Sequence, residues 1–123
     1  MSEQITFNGK TTIAPDVLVT IAQLAAASVP GVKRLSPMPG GVQRLFKFGM
    51  NDDGVRITVQ DDAVYTDVYV IIEFDANVRE VSRAIQTQVA RAISEMVGME
   101  VGRVNIHVED IDHGPFNPQT SQQ

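Results

Sequence analysis

The chain's two histidines, His107 and His113, bracket the stretch HVEDIDH, where imidazoles and carboxylates crowd together as they do in a metal site. On a strand His107 and Glu109 project to the same side, and an oxygen-rich exit follows them. A structural or catalytic zinc wants at least three well-placed ligands held by further hydrogen bonds, so a strand-end histidine with an acidic exit is the stronger reading. No metal and no cofactor is expected. Nucleophilic catalysis finds less support still. Cysteine is absent, no G-x-S-x-G elbow occurs, and TIAPDV sets a proline where a phosphate-cradling loop would place backbone donors. The residues lead away from an enzyme.

Two other groups are suited to recognition. Arg56, Tyr65, Tyr69 and His107 fall on one outward sheet face and resemble, in kind, the aromatic platforms on which single-stranded RNA bases stack. Asp67, Glu73 and Glu109 share that face and would repel phosphates, so no nucleic-acid partner is expected and RNA binding is kept as the alternative function. The second group lies in PGVKRLSPMPGGVQRLFKFG, Pro30 to Gly49, which holds four of the ten basic residues and no acid in a chain of net charge -5. Here Leu45, Phe46 and Phe48 are apolar anchors for a protein partner, with Arg44 and Lys47 steering it. The bland alternative is a loop that folds its aromatics into a small satellite cluster under the connection.

The elements that carry these residues follow from periodicity. ITFNGKTTI offers one or two short strands around Asn8-Gly9. Pro15 opens a helix over Asp16–Val29, with Val17, Ile21, Leu24, Ala25 and Ser28 at helical spacing and Leu18, Ala22 and Val29 widening the apolar arc. Its remaining face, Val19, Thr20, Gln23 and Ala27, is small and uncharged. GVRITVQ alternates as a half-buried strand, Asp61-Asp62 turns the chain, and Val64, Thr66, Val68, Val70, Ile72 and Phe74 form the inward face of a second strand. From an N-cap at Asn77 to a stop at Gly98, the stripe Val78, Val81, Ile85, Val89, Ala92, Ile93 and Met96 marks a long helix with Arg79, Arg83, Gln86, Ala90 and Ser94 opposite. GRVNIHVEDI closes the fold with Val104, Ile106 and Val108 inward and Asn105, His107 and Glu109 outward.

The order strand-helix-strand-strand-helix-strand gives an α+β two-layer sandwich: a mixed sheet of three or four strands with both helices on one face and the other face open. A length of 123 residues with 43% apolar composition suits one domain, expected over residues 1–111 with a variable loop at 30–53 and a disordered tail at 112–123. The missing cysteines and secretory signal point to the cytoplasm, and no apolar run is long enough to span a bilayer directly.

Taken together, TTIAPDVLVTIAQLAAASVPGV, GVRITVQDDAVYTDVYVIIEF and NVREVSRAIQTQVARAISEMVGMEVGRVNIHVEDI resemble the bacterial alkaline shock protein family of envelope stress response proteins. The likeness covers Gly9 to Ile111. It implies a non-enzymatic interaction module in envelope stress or homeostasis, able to self-associate. It also implies either a membrane-anchored protein partner at the inner face of the cell membrane or a link to fatty-acid synthesis through acetyl-CoA carboxylase. The acid-free, Gly/Pro-rich form of the segment after the first helix departs from the family's pattern.

Overall fold

Helix α1, Pro15–Ala27, starts on a proline at its first turn and on an Ala14 with extended backbone that offers no side-chain cap. Strand β1, Val32–Leu35, follows, then β2, Val55–Gln60, β3, Ala63–Glu73, helix α2, Val78–Val97, and β4, Glu100–Asp112. The structure is a computed structural model that describes residues 11–37 and 54–113. Among these, two helices and four strands form the expected α+β sandwich with a mixed sheet.

Strand β3 is the axis of the sheet. Strand β4 runs parallel along its full length, from Ala63↔Glu100 to Glu73↔Asp112. The opposite edge is divided: β2 pairs antiparallel with Ala63 to Val68, and β1 pairs antiparallel with Val70 to Ile72. Tyr69 is the seam between them. Its N–H donates to the Gly54 carbonyl at 2.7 Å, and its carbonyl accepts from the Ser36 N–H at 2.8 Å.

Val64, Thr66, Val68, Val70 and Ile72 face the helices and are all nearly or wholly excluded from solvent. Against them α2 lays Val81, Ile85, Val89 and Ile93, while α1 contributes Leu18, Val19, Ile21, Ala22 and Ala26. Side-chain capping by Asn77, whose Oδ1 accepts from the Glu80 N–H at 3.0 Å, fixes the start of α2, and Gly98 ends it by donating to the Ser94 carbonyl.

Four expectations are corrected. Residues 11–13 of the expected opening strand are not strand, and the rest of it lies outside the described residues. The fourth strand comes instead from Val32–Leu35, within the stretch read as loop-like. Strand β2 is too short to cover the edge of β3 beyond Val68, and buried backbone groups there require partners that β1 supplies. Gly31 makes that entry feasible, with φ of 99° and its carbonyl accepting from the Glu73 N–H at 2.9 Å.

The buried arc of α1 is also rotated. Val19 is core, while Val17 and Leu24 are exposed, because α1 packs against α2 as well as β1 and β2. Phe74, Val78 and Met96, expected inward, are exposed as well, since they lie at the ends of a strand or helix, where the opposing layer stops. Val108, also expected inward, is exposed on β4, whose pairing among the described residues is with β3 on one side. Finally, β4 runs on to Asp112, which pairs with Glu73 and comes within 3.6 Å of Lys33 Nζ, so the sheet reaches into the expected tail. Residues 114–123 lie outside the described residues.

Candidate functional site on the outer sheet face

The side chains facing away from the helices are ordered into rows by register. Thr58, Tyr65 and Arg103 make one row, Arg56, Asp67 and Asn105 the next, and Tyr69 with His107 the third. The middle and third rows are joined through a single carboxylate oxygen. Asp67 Oδ1 accepts from Asn105 Nδ2 at 3.2 Å and from His107 Nε2 at 3.0 Å. Since an ionised carboxylate can only accept, the Nε2 of His107 carries the proton in this contact.

The imidazole of His107 also lies flat on Tyr69, with ring centroids 4.4 Å apart and planes 13° from parallel. Tyr69 is consequently buried at 8% exposure, whereas the His107 side chain keeps 40%. Partial burial pushes the Asp67 carboxyl up, but the hydrogen bonds from His107 and Asn105, with the charges of His107 and Arg56, outweigh it. The net effect holds Asp67 below its ordinary value of 3.8.

Tyr65 is placed by a different device. Strand β4 bulges at Gly102, between the pairs Val64↔Val101 and Tyr65↔Arg103. A Cβ on Gly102 would stand 2.5 Å from the Tyr65 ring, so the missing side chain is the space the ring occupies. The phenol is thereby laid over β4 beside Arg103.

Of the residues singled out in the sequence, Tyr69 and His107 are brought into contact, Arg56 stands across from Asp67, and Tyr65 sits one row away. Arg44, Leu45, Phe46, Lys47 and Phe48 lie outside the described residues. Asp67 and Asn105 have a larger part than their sequence suggests. Read alone, Asp67 is a charge that repels phosphate; in the fold it is the anchor of the patch. Outward alternation with Tyr65 and Tyr69 was its signal, but pairing it with His107 takes the parallel register of strands forty residues apart. HVEDIDH does not form a metal cluster, and among the described residues no group of three or more potential ligands comes together.

The arrangement presents a stiff, half-polar surface with a tyrosine, a histidine and two arginines in fixed register. Such surfaces offer contact area at little entropic cost on binding. No helix among the described residues is long and apolar enough to cross a membrane.

A family model for the alkaline shock protein 23 family, described by a cell envelope-related function, matches residues 3–113. The chain is 30% identical over 113 residues to the uncharacterized protein YqhY of Bacillus subtilis (strain 168), covering 90% of this chain and 83% of that protein. It is 34% identical over 104 residues to the uncharacterized protein Spy1535 of Streptococcus pyogenes serotype M6, covering 84% and 79% respectively. Among solved structures, the copper form of MamM CTD superposes with a TM-score of 0.55 over 84% of this chain and 92% of that one. At 13% identity this last likeness is one of fold.

Proposed function

Because the chain belongs to the alkaline shock protein 23 family, with its cell envelope-related function, we propose that it is a non-enzymatic module that docks protein partners on the outer face of its sheet. The observation that carries this reading is the closed Asp67–His107–Tyr69 network. It commits the imidazole to holding a surface in shape, and it leaves Tyr65, Arg56, Arg103 and the edge of His107 as contact groups. Tyr69, half of the aromatic pair an RNA platform would use, has its ring face against His107, which favours a protein partner over a nucleic acid.

The module acts in the cytoplasm, at the inner membrane face when its partner is membrane-anchored, and it self-associates. Acetyl-CoA carboxylase is the other partner class, and would tie the module to fatty-acid synthesis. Arg44, Leu45, Phe46, Lys47 and Phe48, between β1 and β2 in the sequence, are a second proposed set of partner contacts.

The test is a pull-down from the native cell, in membrane and soluble fractions separately, with the parent and an Arg56→Glu, Arg103→Glu variant. Both arginines are exposed, and the cost of setting the carboxylate of Arg56→Glu across from Asp67 should stay within about 1 kcal/mol, so the variant should remain folded. A membrane protein or carboxylase subunit recovered by the parent and lost by the variant supports the reading. Partners retained in full by the variant, or RNA recovered in their place, overturn it.

A further inference from the structure

Helix α1 shows solvent a face that water does not favour. Val17 and Leu24 are 43% and 68% exposed, and Thr20 and Ala27 are exposed with them. Asp16 is the only charged residue in the thirteen of the helix. The stripe's hydroxyl is already satisfied, since Thr20 Oγ1 donates to the Asp16 carbonyl at 3.0 Å, as Ser28 Oγ does to the Ala25 carbonyl at 2.8 Å. What faces outward is therefore methyl and methylene surface, and Ile13, 42% exposed, leads into it.

The spacing names the kind of occupant. Within the helix, positions 17, 20, 24 and 27 advance by steps of three, four and three, the period at which one helix meets another along a straight seam. The order of side chains names which helix. Two copies of α1 placed antiparallel about a two-fold through position 22 set Val17 against Ala27 and Leu24 against Thr20, so that each bulky group meets a small one. Antiparallel dipoles attract, and an uncharged stripe lets two chains of net charge -5 approach without like charges in contact.

We infer that this stripe is the seam of a two-fold dimer of the chain, helix α1 against helix α1. The inference gives a surface to the self-association in the proposed function, and it is separable from partner docking because it uses the opposite layer of the sandwich. A seam of thirteen residues is only about 20 Å long, which makes a reversible dimer rather than a permanent one.

Sedimentation velocity of the full chain at concentrations up to about 1 mM spans the range in which weak interfaces of this kind associate. The parent should pass from monomer to dimer, and Leu24→Lys should raise the dissociation constant by more than about tenfold. Because the chain has no cysteine, thiols can report the register. Oxidising a mixture of Thr20→Cys and Leu24→Cys proteins should yield the mixed dimer well above either self-linked one. A parent that stays monomeric throughout, a dimer indifferent to Leu24→Lys, or equal cross-linking in all three combinations overturns the inference.

Discussion

The two helices cover the same sheet face yet meet solvent in opposite ways. On α2 the exposed side carries Arg79, Glu80, Arg83, Arg91 and Glu95, while Val81, Ile85, Val89 and Ile93 are buried on the other side. On α1 the buried and exposed sides are both largely apolar, and only packing distinguishes them. Amphipathicity thus locates a core face when the opposite face is shaped by water. Where a second surface has its own reason to be apolar, sequence contrast fades and the helix's rotation must come from its neighbours.

The contrast breaks most visibly by charging each helix in turn. Ile85→Asp buries a carboxylate at a site with no solvent exposure, costs several kcal/mol against the roughly 5 to 15 kcal/mol of a whole domain, and should abolish the cooperative melt. Leu24→Lys, measured at low micromolar concentration, should change stability by less than about 0.5 kcal/mol. Equal losses from the two would mean that α1 is buried on both sides within the monomer.

Gly31 links the two helices physically. A Cβ there would come 2.6 Å from Val81 Cγ2 on α2, in a backbone conformation with φ of 99°. Gly31→Ala should therefore cost about 2 kcal/mol or more by chemical denaturation, through strain and displacement of α2 together.

The N-termini differ as well. Asn77→Ala removes the α2 cap and should cost about 1 kcal/mol, whereas Ala14→Asp supplies α1 with a cap it lacks and should recover a similar amount. Urea titrations of the two variants read opposite signs.

The smallest effect is on the sheet's other face. The Asp67 pKa is lowered in the folded chain, so its contribution to stability is fully present above the ordinary value of 3.8 and is lost as pH falls through the lower folded value. Asp67→Asn should flatten that acid limb of the stability curve. An unchanged limb would show that the contacts of Asp67 with His107 and Asn105 do not persist in solution.

How much of this was legible depended on how local each signal was. Helix α2 could be read outright, because its stripe, its asparagine cap and its terminal glycine agree within one segment. The hairpin was equally plain: Asp61 and Asp62, with φ of 53° and 66°, make the two-residue reversal that joins two alternating strands. Strand β1 was not legible, since VKRL carries little pattern and becomes a strand only beside the vacant edge of β3. In the candidate site the outward set Arg56, Tyr65, Tyr69 and His107 followed from alternation alone. The stacking of His107 on Tyr69 and the role of Asp67 depended on β3 and β4 lying parallel in one register, a relation fixed by the whole fold.

The double use of Tyr69 bears on the segment between β1 and β2. One residue, through its carbonyl and its N–H, receives the chain at Ser36 and takes it up again at Gly54, so the two ends of the connection between β1 and β2 are held at the same place in the sheet. With its ends pinned side by side, such an insert is thermodynamically almost independent of its own length, each doubling adding only about 0.6 kcal/mol of closure entropy. The fold can therefore be regarded as a socket with an interchangeable insert. Doubling the length of 37–53 with a Gly/Ser segment should accordingly cost only about 0.6 kcal/mol in a urea titration.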